Sequence, residues 1–161
     1  MANYTGADVI TTSDVLKYQP DAFDFGISTT ATETVNFLAQ TTNDILRNLR
    51  IEWWPVYKQN IFTDITVLNT AEMVNTKVNL DQFERAGVYL FLGRFYLPAL
   101  TKFRPETEKD RFERMAEYYM AQYNIEWRMI LEDGVEYDTD ADGSIVTNER
   151  EPLHGFRRLT R

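Results

Sequence analysis

The chain has no cysteine and a single histidine among its 161 residues. Without cysteine there is no disulfide framework and no thiolate to act as nucleophile or metal ligand, and the redox compartment goes unmarked. The histidine, His154, lies between Leu153 and Gly155 in a basic end of the chain. No serine, cysteine or carboxylate stands beside it as nucleophile or base, so it reads as a surface residue. Long apolar runs are also missing. "VYLFLGRFYLPAL" is broken by Arg94 and falls short of the roughly 20 apolar residues that span a bilayer. The opening "MANYTGADVITTSDV" has no basic region followed by an apolar stretch, so a soluble protein made inside the cell is expected, with no membrane partner. A phosphate loop, a dinucleotide fingerprint, an HExxH helix, a nucleophile elbow and the paired ExxH motifs of a di-iron bundle are all lacking. Glu113 and Glu117 do fall at helical spacing, yet beside Arg111 and Arg114 they read as a solvated face. The expectation is a protein that is not an enzyme.

What is present suffices for one ordinary domain: 43% of the residues are hydrophobic and 14% aromatic, enough for a real core. The charge is uneven. The net value is −8, but residues 150–161, "REPLHGFRRLTR", hold four arginines and one acid. The other 149 residues therefore carry 13 basic and 24 acidic groups, −11 against +3 for the end. An acidic body argues against general nucleic-acid binding, which relies on Lys and Arg at phosphates. The basic end reads either as a solvated terminus or as a partner-docking arm.

Periodicity and caps point to helices. Thr12 or Ser13 can cap a short helix closed by Pro20, and "DAFDFGISTT" then reads as a loop. Thr30 and Glu33 form a capping box before Val35, Leu38, Thr42, Ile45, Leu49 and Trp53, an amphipathic helix that Pro55 should end. The stretch 56–78 is less regular, with Asn69 and Glu72 spaced to cap a short helix. Asn79 and Gln82 make a further capping box for a helix over residues 80–97, which Pro98 should kink or end. Pro105 with Glu106, Glu108 and Asp110 starts the last helix, whose apolar stripe is Phe112, Met115, Tyr119, Tyr123, Trp127 and Ile130, and which stops near Gly134. The adjacent Trp53 and Trp54 read as a core anchor. The fold class predicted is mainly α: a helical bundle of three to four main helices over residues 1–134, with a β-hairpin and extended basic arm over 135–161 in the same domain.

One stretch carries metal chemistry. In "DTDADGSIVTNE", residues 138–149, Asp138, Asp140, Asp142, Gly143 and Glu149 occupy positions one, three, five, six and twelve of a calcium loop, and Ser144 at position seven would offer its carbonyl. Val146 at position nine has no side-chain oxygen, so water would supply that ligand. A calcium loop of the helix–loop–helix kind needs a helix on each side. Gly134 breaks the incoming helix and Pro152 falls where the outgoing one would be in its second turn. The loop is therefore expected between two short strands, roughly "VEY" and "SIV", either as a calcium-stapled hairpin or as an ion-free acidic turn. No cofactor is required, and Ca2+ is the candidate ion.

Taken in order, "TTSDVLKY", the long helix running into "LRIEWWP", the helix "FERAGVYLFLGRFYLPAL" and the hairpin "VEYDTDADGSIVTNE" with its arginine-rich end resemble a head-tail connector (adaptor) protein of a tailed bacteriophage. The likeness covers most of the chain as an order of elements; no motif of the catalytic kind carries it. The resemblance implies a virion protein of the neck, at the head-tail junction, made in the host cytoplasm. It implies a homo-oligomeric ring, often of roughly twelve copies, that joins the portal protein to a neck or tail protein and lets DNA pass without specific binding. The carboxyl-terminal segment of that family commonly docks against the portal, which here maps onto Arg150, Phe156, Arg157, Arg158 and Arg161. An acidic body is compatible, since like charge keeps phosphate from sticking to a channel. The alternative from another class is a calcium-stabilised monomeric helical binding module.

Overall fold

A computed structural model describes residues 8–101, 111–145 and 149–151. The fold is mainly helical, as expected. In chain order the helices are α1 (Thr12–Tyr18), α2 (Thr32–Asn48), α3 (Trp54–Ile61), α4 (Ile65–Thr70), α5 (Glu84–Leu90), α6 (Leu97–Leu100) and α7 (Arg111–Asp133), followed by strands β1 (Val135–Glu136) and β2 (Arg150–Glu151). The helix start expected at Pro105 lies outside the described residues. Packing groups the described residues into two compact units, one drawn from 8–45 and 83–127, the other from 46–82 and 128–151.

In the first unit, α1 is capped by Thr11, one residue earlier than the sequence suggested. The Thr11 side chain accepts from the Asp14 amide while the Asp14 carboxylate accepts from the Thr11 amide at 2.8 Å. Val9, Ile10 and Val15 are buried, as are Ile45, Val88 and Leu90 of the same unit. Gly87 permits this: a Cβ there would stand 2.8 Å from Ile10 Cγ2 and 2.9 Å from Val9 Cγ1. The expected stripe of α2 is buried at Leu38, Thr42 and Ile45, whereas Val35 at its start is 54% exposed. On α7 the stripe buries Tyr119, Tyr123 and Trp127, with Phe112 and Met115 only half-buried.

Pro55 behaves differently from expectation, while Pro98 stands near a helix end as expected. Pro55 does not end the helix of which α2 is the start. A π-helical stretch, Leu49–Trp53, leads straight into α3, and the Trp54 amide donates to the Leu49 carbonyl five residues back. Ahead of Pro98 the stretch Phe91–Tyr96 is again π-helical, with the Leu97 amide donating to the Leu92 carbonyl. Each proline thus sits in the first turn of the following helix, where its missing N–H costs nothing, and the widened turn replaces the abrupt stop.

In the second unit, Asp64 caps α4 by accepting from the Thr66 amide at 2.8 Å. Asn69, read from sequence as a cap, lies inside that helix. Asn79 does cap its turn, accepting from the Asp81 amide at 3.2 Å. Gln82 does not complete the box. It donates to the Gly134 carbonyl and accepts from the Glu136 amide at 2.7 Å, tying the end of α7 to β1. Gly134 has φ 103°, a conformation that favours glycine, and it turns the chain from α7 into β1. β1 pairs antiparallel with β2, Val135 opposite Glu151 and Glu136 opposite Arg150. The hairpin therefore closes after the acidic loop and not at "SIV": Ser144 and Ile145 are in no strand, and Val146 lies outside the described residues.

Candidate metal centre

The acidic loop grows out of an aromatic floor in the second unit. Trp53, Trp54, Tyr57 and Tyr137 are all buried, with neighbouring ring centroids 4.4 to 6.0 Å apart. The π-helical turn places Trp53 and Trp54 side by side in this cluster, which makes the pair a core anchor. Burial pushes the Tyr137 phenol up from its ordinary value, against a smaller opposing effect of the hydrogen bond its oxygen accepts from the Val74 amide.

Thr139, second residue of the loop, is held from several sides. Its hydroxyl bonds the Tyr57 hydroxyl at 2.9 Å, its carbonyl accepts from Lys77 Nζ at 2.5 Å, and its amide donates to Glu149 Oε1 at 2.8 Å. The Asp138 amide donates to the Lys77 carbonyl at 2.8 Å, and Tyr137 bridges Val78 in antiparallel fashion. The loop entrance is thus fixed to residues 77–78 on one side and to the far end of the loop on the other.

The structure brings three of the five expected calcium ligands together. One carboxylate oxygen from each of Asp138, Asp140 and Glu149 lies within 4.8 Å of the others. Oxygens sharing one calcium at about 2.3–2.6 Å stand no more than roughly 5 Å apart, so this spread suits the ion. Asp138 and Glu149 are 4% and 5% exposed, while Asp140 is on the surface. Asp142 is not in the convergent group; its carboxylate accepts from the Ser144 amide at 2.7 Å, and both residues are exposed. Gly143 has φ 81° with open space where a Cβ would go, so glycine is needed there for backbone conformation alone. Ala141 shares the left-handed region at φ 64°, a costlier choice for an alanine.

Backbone amides already serve these carboxylates. Asp138 accepts from the Ala141 amide at 2.6 Å and from Gly143 at 2.9 Å, and Asp140 accepts from Asp142 at 3.2 Å. Such bonds let an acidic turn persist without an ion and also leave lone pairs for one. Chemically the loop offers hard oxygen ligands only, with no nucleophile or imidazole among them.

Of the expected docking residues, Arg150 is described. Its guanidinium pairs with Glu136, whose other oxygen accepts from Asn79 Nδ2 at 2.5 Å. Phe156, Arg157, Arg158 and Arg161 lie outside the described residues, as does His154. Sequence reasoning missed Lys77, Thr139 and Tyr57 as supports of the loop, because they come from parts of the chain with no periodic signal linking them. Among the described residues no helix is long and apolar enough to cross a membrane. The chain matches no family model, no curated protein and no solved structure.

Proposed function

We propose that this chain is a structural subunit of a bacteriophage head-tail connector, a ring-forming adaptor that joins portal to neck or tail and does no chemistry. The observation that carries the reading is the anchoring of β2. Register with β1, the Arg150–Glu136 pair and the Asn79 bond to Glu136 hold residues 150–151, the first two of the arginine-rich end. A basic segment that leaves from a fixed base is a suitable docking arm for a partner with complementary charge. The mainly helical fold and the acidic body fit the same role. Deleting residues 152–161 tests it: the truncated chain keeps its helical circular dichroism but no longer enters assembled particles. Particles that incorporate the truncated chain normally would refute the docking arm.

A second reading, a calcium-stabilised binding module, is favoured by the convergence of Asp138, Asp140 and Glu149. Calcium bound only to the folded hairpin, at about a hundred times its dissociation constant, would stabilise it by roughly 2.7 kcal/mol. Calorimetric titration should show one site with a dissociation constant of roughly 0.1–1 mM, lost in the Asp138→Ala, Glu149→Ala double variant. No heat at millimolar calcium identifies an ion-free acidic turn.

A further inference from the structure

Helix α7 runs without a break for 23 residues. Its buried side is centred on Ala116, Tyr119, Tyr123 and Trp127. At about 100° per residue the opposite side carries Arg114, Tyr118, Ala121, Ile125, Met129 and Glu132, and all six are exposed. Tyr118, Ile125 and Met129 are 59%, 52% and 50% exposed. With the half-buried Gln122 they follow one another at steps of four, three and four residues, the spacing of a coiled-coil seam. Apolar residues scattered singly over a surface need no partner, whereas a line of them along one helix is a face to be covered.

The charges along this face are mixed, and their order is antisymmetric. Arg114 lies nine residues before Tyr123 and Glu132 nine after it, and the two project at the same angle around the helix. Glu117 lies six before and Arg128 five after, together on one flank. Arg114 and Glu132 enter no ion pair among the described residues.

We propose that α7 of one copy of this chain packs antiparallel on α7 of a second copy, about a two-fold axis at the level of residue 123. Across that axis Arg114 meets the second copy's Glu132, Glu117 meets the second copy's Arg128, and Tyr118 lies beside the second copy's Met129. Ala121 faces the second copy's Ile125, and its small side chain lets the helices approach. An open cleft of about 450 Å³ lined by Arg111, Arg114, Met115, Tyr118 and Tyr119 lies where the second copy's Met129 arrives, and a flexible thioether suits such a gap. Charge selects both the occupant and its direction. A basic segment laid on this face meets Arg114 and Arg128, and an acidic one meets Glu117 and Glu132. A second α7 running antiparallel answers each of these four charges with its opposite, while a parallel pair in register sets each against its like. Burial of the apolar line supplies the attraction. A two-fold contact closes on itself, so the pair is a state of the free subunit and does not depend on the ring reading.

Sedimentation velocity on the full-length chain over a concentration series should show a monomer–dimer equilibrium. Arg114→Glu and Glu132→Arg should each weaken it roughly tenfold, because every reversal is felt twice across the axis, and the double variant Arg114→Glu, Glu132→Arg should restore it. Both positions are exposed, so the helical circular dichroism should stay unchanged. Direction is read by cross-linking, for which a chain without cysteine gives no background. Tyr118→Cys mixed with a size-tagged Met129→Cys and treated with a short bismaleimide should give the mixed dimer, and neither variant alone should give any. Dimers from Tyr118→Cys alone would mean a parallel pair and overturn the proposal. A chain that stays monomeric throughout the series overturns it, and so does a dimer indifferent to both charge reversals. Native mass determination of rings under either of these results would leave the connector reading standing while this contact falls.

Discussion

Helices α1 and α4 are nearly the same length, seven and six residues, and each starts from a side chain that accepts a backbone amide, Thr11 in one and Asp64 in the other. Only α1 is packed. Val15 is fully buried and Val9 and Ile10 press against the surface that Gly87 leaves open, whereas Ile65 and Val67 of α4 stay in solvent. A cap satisfies amides that any helix start leaves unpaired, and it works equally well at both sites. Burial differs, and burial is what couples a local turn to the stability of the whole unit.

The largest change should come from Val15→Ala, which removes fully buried methyl groups and leaves a cavity at about 2–3 kcal/mol. Urea denaturation should show its midpoint falling well below wild type, while Val67→Ala in α4 scarcely moves it. Gly87→Ala comes next. The added methyl would stand under 3.0 Å from two β-branched side chains that cannot swing away, an overpacking cost of about 2 kcal/mol. Hydrogen exchange should then rise selectively across α1.

Removing the cap with Thr11→Ala should cost about 1 kcal/mol, and here pH sharpens the contrast. Burial pushes the Asp14 carboxyl up, but hydrogen bonds from Lys17 and Thr11 outweigh it and hold the group below its ordinary value. Its folded pKa is depressed, so the stabilisation is present above the unfolded pKa of about 3.9 and is lost as pH falls through the folded value. Denaturation at pH 7 and in strong acid should therefore show the wild-type advantage over Asp14→Asn shrinking as pH drops. Smallest of all, Ile65→Ala should change the stability of the isolated chain by under about 0.5 kcal/mol. A large loss there would mean that Ile65 is packed within the monomer and that its exposure does not hold in solution.

Much of the fold was legible because helix periodicity and caps are local. The stripes of α2 and α7, the stop at Gly134 and the core role of Trp53 and Trp54 follow from spacing and residue type. Pro55 was misread because periodicity assumes a regular turn, and the widened turn at residues 49–53 breaks that assumption; a second widened turn, at 91–96, was equally invisible. Gln82 was misread as a cap because a glutamine side chain serves a backbone partner 52 residues away as readily as one three residues away. At the loop, the ligand positions were visible one by one in "DTDADGSIVTNE". Their convergence was not.

The sequence by itself determined that this protein is mainly helical, acidic with a basic end, and equipped with carboxylates at calcium-loop spacing, since each of these properties is a matter of residue identity and short-range periodicity. The tertiary structure alone decided that β2 lies at residues 150–151, that Thr139 is tied to Tyr57 and Lys77, that Glu149 turns back towards Asp138, and that α4 buries nothing. Those outcomes depend on which distant segments come to share space, and the burial that settles that question is non-directional and leaves no local mark along the chain.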